Sequence, residues 1–422
     1  MQHVILGAGP AGVIAAETIR KHSNNDKILI VGDEPEPPYS RMAIPYLLMG
    51  NIDESGTHLR HRADHFKNWR IDLKQGRAKT VDAGKRSVTL EDGSVLAFDK
   101  LLIATGSSPA NPPIAGIDSP GVHHCWTMAD ARAIMKGAAK GARVLQMGAG
   151  FIGCIILEAL AARGVKLTVV EMGDRMVPRM MGPAAGGMIK DWCEGKGVKV
   201  HTGAKVEAIE PKGGALSVKL STGERIEVDM VISATGVKPN IDFLEKSQVK
   251  CLQGVLTDEH MQTSVPGIYA AGDCAEAFDK VSGKTIISAI QPNAADQALV
   301  AALNMTGHKA ALRGVTQINV LDTLGLVSAS FGDWEGRSGG QHVELTDKTA
   351  GLHLSLQFEG DVLVGCNSVG WTDHVGVMRG LVEGQVKLGA WKDELLKDPT
   401  LLMQAYLATA QGQSARGLVA QR

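Results

Sequence analysis

Gln2-His3-Val4-Ile5-Leu6-Gly7-Ala8-Gly9-Pro10-Ala11-Gly12 is the stretch that decides the fold. Residues 2–6 form a short, mostly apolar run, three glycines follow at GxGxxG spacing, and residues 13–21 read as a helix. Strand, glycine turn and helix together give this spacing its meaning as a dinucleotide-binding unit. The glycines let the backbone approach a pyrophosphate, and the helix offers it unpaired N–H groups and a positive dipole end. A second strand, residues 27–31, ends at Gly32-Asp33-Glu34, which puts Glu34 22 residues beyond Gly12, the spacing of a ribose contact.

The same grammar returns further along. Residues 143–147 read as a strand, Gly148-Ala149-Gly150-Phe151-Ile152-Gly153 as the turn and residues 154–163 as the helix, and the next strand ends at Glu171, 18 residues past Gly153. One such turn is weak evidence, whereas two complete units with acidic ends imply two dinucleotide sites. A further duplication agrees: strand-like residues 100–103 run into Ala104-Thr105-Gly106, and 230–233 into Ala234-Thr235-Gly236. Each is followed by an extended, proline-containing segment, Ser108-Pro109 and Lys238-Pro239, as expected of crossings between domains. These crossings divide the chain into a discontinuous domain, 1–110 and 237–310, and an inserted domain, 111–236. From about Ala311 a third, α+β domain (311–422) reads as strands near 316–320, 342–345, 352–358 and 362–366, then as helices from Val375 onward, with 401–422 a helical tail.

Composition narrows the function classes. The 422 residues, 44% hydrophobic and 21% charged, suit several globular domains with room for large cofactors. Lys plus Arg number 44 against 45 Asp plus Glu, so no broad positive field favours nucleic acid. No apolar run is long enough to span a bilayer and the first residues enter a strand directly, so the expectation is a soluble cytoplasmic protein. Cys125, Cys154, Cys193, Cys251, Cys274 and Cys366 are scattered without a CxxC pair, which argues against a resident iron–sulfur cluster or zinc site and for reduced, buried thiols. No metal site is expected.

Thr263-Ser264-Val265-Pro266-Gly267-Ile268-Tyr269-Ala270-Ala271-Gly272-Asp273 resembles the second FAD signature of two-dinucleotide flavoproteins, in which the carboxylate after the glycine accepts a hydrogen bond from the ribityl chain. With the two glycine turns and the two Ala-Thr-Gly segments, the chain resembles the pyridine nucleotide-disulfide oxidoreductase superfamily over residues 1 to about 390. The nearest branch holds ferredoxin reductases, NADH oxidases, coenzyme A disulfide reductases and the flavin half of nitrite reductases. The resemblance implies an α/β fold: two Rossmann-like dinucleotide-binding domains, the FAD domain interrupted by an inserted NAD domain, plus a C-terminal α+β domain. It implies that Gly7, Gly9, Pro10, Ala11, Gly12 and Glu34 hold the ADP half of FAD, that Arg41 lies beside the flavin phosphates and that Ala78 contacts adenine. Ala104, Thr105, Gly106, Gly272 and Asp273 complete that site. Asn293 and Ala294 open a helix aimed at the flavin pyrimidine edge, where its dipole favours an anionic reduced flavin. Gly148, Gly150, Phe151, Ile152, Gly153, Glu171 and Gly236 hold NAD(H). A carboxylate at Glu171 suits NADH and repels the 2′-phosphate of NADPH, although Arg175 and Arg179 lie close by in the sequence.

The departures from the superfamily pattern are equally informative. Met42 stands where disulfide reductases carry their redox cysteine, in Arg41-Met42-Ala43-Ile44-Pro45-Tyr46, and a thioether cannot act as nucleophile. No His-Pro-Thr signature occurs in the third domain. The lysine and glutamate that ferredoxin reductases place near flavin N5 are replaced by Tyr46 and Ile155, so no acid–base residue is nominated. Met176, Met180 and Met181 read as packing. Trp371-Thr372-Asp373-His374-Val375 resembles the segment by which the superfamily's C-terminal domain approaches the flavin or a partner subunit. The chain therefore reads as an FAD-dependent NADH oxidoreductase that exchanges electrons with a separate iron–sulfur protein: a ferredoxin, a rubredoxin or a subunit of a larger complex such as an aldehyde oxidoreductase. The alternatives are an NADH oxidase or dehydrogenase using oxygen or a quinone, and an NADH-responsive binding protein. Homo- or hetero-oligomers would form through the C-terminal domain.

Overall fold

A computed structural model describes residues 1–409, which fall into two compact units. The first comprises 1–110, 126–128 and 237–315; the second comprises 111–125, 129–236 and the C-terminal segment from Thr316.

In the first unit the central sheet is parallel, with strands in the order Ile268–Ala270, Lys100–Ile103, Gln2–Leu6, Lys27–Gly32 and Asp72–Gln75. Val4, Ile5, Leu101, Leu102 and Ile103 are completely buried, the continuous apolar pattern of strands covered on both faces. Truncating one of these, such as Leu102→Ala, carries a cost of about 2–5 kcal/mol. The helix Pro10–His22 begins with proline, whose missing N–H costs nothing in a first turn. Its Ala15 and Ala16 are fully buried, as are Ala298, Ala301 and Ala302 of the helix Gln291–Met305 that packs on it, and these small side chains let the two backbones come close. An antiparallel meander, Ala78–Asp82, Ser87–Leu90 and Val95–Ala97, connects the strand Asp72–Gln75 to Lys100–Ile103. The two proline-containing crossings, Ser107–Pro109 and Val237–Pro239, pair with each other as an antiparallel ribbon.

The second unit repeats the plan. Its parallel sheet runs Lys199–Thr202, Lys166–Glu171, Arg143–Met147, Met230–Ser233 and Val122–His123, and its meander is Val206–Lys212, Ala215–Leu220 and Arg225–Val228. It also carries a five-stranded antiparallel sheet in the order Ile318–Thr323, Leu326–Gly332, Val362–Val369, Leu352–Glu359 and Gln341–Asp347, with the helix Val375–Gly384 against it. The strand Leu326–Gly332 is absent from the sequence reading. Its hairpin turn is Leu324-Gly325, both at positive φ (56° and 88°), so a leucine occupies a position where the usual turn signal is asparagine or aspartate. Of the helical tail expected over 401–422, Leu401 ends the short turn Pro399–Leu401, residues 402–409 are helical, and 410–422 lie outside the described residues.

Candidate dinucleotide sites

In the first unit, Gly7 has φ +119°, and a Cβ on it would sit 2.0 Å from the Ala104 carbonyl oxygen; one on Gly12 would sit 2.0 Å from the Gly7 oxygen. This close stacking explains why an Ala-Thr-Gly segment accompanies the glycine turn: the Ala104 carbonyl rests directly on it. Gly9 differs in kind. It is the N-cap of the helix Pro10–His22, no side chain caps that helix, and a Cβ there would meet nothing within 4 Å. The helix start is thus uncapped, with space beside Gly9, the arrangement a pyrophosphate requires. At the strand ends opens a cavity of about 380 Å³ lined by Gly7, Asp33, Ala78, Lys79 and Thr105 among others. Asp33 rather than Glu34 is among its lining residues.

Glu34 is engaged elsewhere. Its Oε1 accepts from Arg41 Nη2 at 2.8 Å and its Oε2 from the Tyr39 hydroxyl at 2.7 Å. Arg41 also donates through Nη1 to the Trp126 carbonyl at 2.7 Å, with its guanidinium 5.6 Å from the ring centroids of both Tyr39 and Trp126. Gly272, at φ +81°, lies between the starts of two helices: a Cβ on it would touch the Cβ atoms of Ala11 at 3.5 Å and Ala294 at 3.6 Å. The next residue, Asp273, accepts from the Ser107 hydroxyl at 2.8 Å. Burial pushes this carboxyl above the ordinary range, while the Ser107 hydroxyl and the Arg41 charge pull it back. Asn293 is buried in the first turn of its helix and donates to Ser288 Oγ at 2.5 Å. Thr105 and Gly106 are tied to the returning chain through Asn240, whose amide N–H reaches the Gly106 carbonyl at 3.0 Å. The structure thus gathers the sequence-predicted positions, ties in Tyr39 beside Arg41, and adds three that no motif contained: Ser107, Trp126 and Gln297, the last accepting from the Gly272 N–H at 2.7 Å.

The second unit has the same core geometry. A Cβ on Gly148 (φ +94°) would lie 2.4 Å from the Ala234 oxygen and one on Gly153 2.5 Å from the Gly148 oxygen, whereas Gly150 caps the helix Phe151–Ala162 in the open. Phe151 and Ile152 form its first turn, half-buried, and Gly236 at φ +111° faces open space. Buried Gln146, absent from the sequence reading, donates to the carbonyls of Gly148 and Gly153, both at 2.9 Å, and fixes the turn. Glu171 is buried at its strand end and clamps the same turn: Oε2 accepts from the Ala149 N–H at 2.6 Å and Oε1 from the Gly173 N–H at 2.7 Å. Arg175 is committed to the Met181 and Pro178 carbonyls and to Asp174, while Arg179 is exposed. Met176, Met180 and Met181 are buried.

At the departures from the superfamily pattern, Met42 and Tyr46 are half exposed and Ile155 half-buried. All six cysteines are free and five are buried. Burial pushes the thiols of Cys125 and Cys193 up to about 12 and raises those of Cys154, Cys251, Cys274 and Cys366, so none is poised as a thiolate. Among the described residues no group of three His, Cys, Asp or Glu side chains could hold a metal, and no helix is long and apolar enough to cross a membrane.

Two Rossmann-like units with uncapped glycine-turned helices, and a buried Gly-Asp strand end in the first, define a two-dinucleotide flavoprotein reductase. The sequence profile described as pyridine nucleotide-disulphide oxidoreductase matches residues 1–298, and the chain belongs to that family. It is 31% identical over 402 residues to the NADH-dependent phenylglyoxylate dehydrogenase subunit epsilon of Aromatoleum evansii, covering 94% of this chain and 95% of that one. It is 35% identical over 327 residues to an NADH oxidase of Methanocaldococcus jannaschii, covering 74% and 71% respectively. Among solved structures, an NAD-dependent persulfide reductase from A. fulgidus superposes with a TM-score of 0.85 at 28% identity, over 92% of this chain and 78% of that one. The protein is an FAD- and NAD(H)-dependent oxidoreductase.

Proposed function

We propose that this chain passes electrons between NAD(H) and the iron–sulfur protein or subunit of a larger dehydrogenase, and that it does so without a redox-active thiol. One observation carries this reading: the similarity to a dehydrogenase subunit runs almost end to end, including the C-terminal sheet, whereas the NADH oxidase similarity covers about three quarters of the chain. Bound FAD supplies the exchange between two-electron hydride chemistry and single-electron transfer. The protein supplies binding and orientation. The N-terminus of Pro10–His22 and Arg41 neutralise the pyrophosphate, Ala78 and Asp33 border the adenine cavity, Glu34 holds Arg41 in place, Asp273 accepts ribityl hydroxyls, and Asn293 and Ala294 lead the helix aimed at the flavin ring. In the inserted segment, Gly148 to Gly153 with Gly236 receive the NAD(H) pyrophosphate and Glu171 its ribose.

In this reading 1–110 and 237–310 serve FAD, 111–236 serve NAD(H), and 311–422 face the partner. The exposed edge strand Gln341–Asp347 and the loop at Thr372 and Asp373 offer it a surface. A cytoplasmic location suits the supply of NADH. The buried, protonated thiols and Met42 speak against persulfide or disulfide reduction. A second reading, oxygen as acceptor, draws on the NADH oxidase similarity. The deciding experiment isolates the native protein, identifies what co-purifies, and compares NADH oxidation in air, with that partner and with a ferredoxin. Fast turnover in air, unchanged by the partner or ferredoxin, would replace the first reading with the second.

A further inference from the structure

Two side chains assigned above to the flavin are themselves held by residues outside every motif. Trp126 belongs by sequence to the inserted segment, yet residues 126–128 pack within the first unit. Its carbonyl accepts from Arg41, its ring faces the Arg41 guanidinium, and its indole N–H donates to the Ser107 carbonyl at 3.0 Å. The hydroxyl of buried Ser107 then donates to Asp273 Oδ2. A continuous path therefore runs from Glu34 through Arg41, Trp126 and Ser107 to Asp273, linking the phosphate-side cation to the ribityl-side carboxylate.

We propose that Trp126 and Ser107 are positioning residues for FAD, Trp126 aiming Arg41 and Ser107 fixing the rotamer of Asp273 so that Oδ1 is left for the ribityl hydroxyls. The proposal rests on Arg41 and Asp273 being flavin ligands. Its physical basis is preorganisation. A free arginine samples many rotamers and would lose that freedom on binding, whereas one already held by a carbonyl, a carboxylate and two aromatic faces has little left to lose. A carboxylate has about four acceptor positions. Committing one oxygen to Ser107 orients the other without consuming it.

The test uses full-length protein stripped of FAD and titrated with FAD, following quenching of flavin fluorescence, visible circular dichroism of the bound flavin and the pH at which FAD is released. Ser107→Ala and Trp126→Ala should each weaken FAD about tenfold, the worth of one lost hydrogen bond or ring contact. Ser107→Thr, which keeps the hydroxyl, should restore binding. Because Ser107 and the Arg41 guanidinium are the groups that favour ionised Asp273, Ser107→Ala should also release FAD at a higher pH than wild type, an effect that general loss of stability would not reproduce in the Thr variant. Arg41→Ala and Asp273→Asn serve as controls on the underlying assignment. If these two lose FAD while Ser107→Ala and Trp126→Ala keep wild-type affinity, dichroism and release pH, the positioning roles are refuted and the flavin site stands. If the two controls also keep FAD unchanged, the site assignment fails and the positioning roles fall with it.

Discussion

Replacing Glu171 probes two jobs of one carboxylate. Its oxygens accept the Ala149 and Gly173 N–H groups at 2.6 and 2.7 Å in a buried position, so Glu171→Ala orphans two backbone donors. At about 1–3 kcal/mol for each buried unsatisfied group, the second unit should lose on the order of 2–6 kcal/mol of stability. If the same carboxylate also accepts the NADH ribose hydroxyls, about 1.5–3 kcal/mol of binding disappears as well, which is roughly 10- to 150-fold in Kd. NADPH should bind better in the variant, relative to NADH, because a negative charge has gone. Glu171→Gln separates the jobs: its amide oxygen still accepts one N–H, so less stability is lost, while the charge is removed completely. Anaerobic stopped-flow reduction of the bound flavin by each nucleotide yields the two Kd values, and thermal melting reports stability. A Glu171→Ala protein that melts lower yet binds NADH like wild type would show that the carboxylate serves only the turn. Wild type preferring NADPH would overturn the ribose assignment altogether.

Three further outcomes are expected. Changing all six cysteines to serine should leave NADH-to-dye electron transfer largely intact while lowering the melting temperature, because buried thiols become hydroxyls; retained FAD with lost transfer would mean that a thiol carries electrons. Gly7→Ala and Gly148→Ala force a Cβ to within 2.0 and 2.4 Å of backbone carbonyl oxygens, so the first should abolish FAD retention and the second NADH affinity, as read by flavin absorbance and by nucleotide titration. Asp26 concerns stability against pH: although burial opposes ionisation, hydrogen bonds from the Met1 amino group and His3 hold its carboxyl down at about 2, below the ordinary 3.8. A depressed carboxyl contributes stability above its unfolded pKa and loses it as pH falls through the folded one, so Asp26→Asn should cost on the order of 1–2 kcal/mol at neutral pH, with the difference vanishing between about pH 4 and pH 2 in acid unfolding.

The parallel strands and glycine turns were legible because their chemistry is local. The strands Gln2–Leu6, Lys100–Ile103, Arg143–Met147 and Met230–Ser233 begin and end where the apolar runs do, since a strand covered on both faces tolerates little else. The connection between glycine turn and Ala-Thr-Gly segment was visible only as a duplication; the contact of the Ala104 carbonyl with Gly7 supplies its cause. Side chains that work through other side chains left no such trace. Gln146, Trp126 and Ser107 act across long stretches of sequence or through backbone carbonyls, and nothing in their neighbours' identities marks them. The strand Leu326–Gly332 was missed for the opposite reason: its turn is local, but a leucine at positive φ hides it.

The order in which the sheet strands are made has a consequence for synthesis on the ribosome. The strand Lys100–Ile103 finds its outer neighbour, Ile268–Ala270, only after the whole inserted segment has emerged. At about 5–20 residues per second, some 160 intervening residues take roughly 10–30 s, far longer than a hairpin needs to form. During that interval the edge Leu101-Leu102-Ile103 has no covering partner, an apolar template open to pairing with another nascent chain. The inserted segment, by contrast, has all five strands of its own parallel sheet in hand once residue 233 appears. The later-starting unit can therefore complete its parallel sheet before the earlier one, and chaperone demand should concentrate on the first hundred residues rather than on the last.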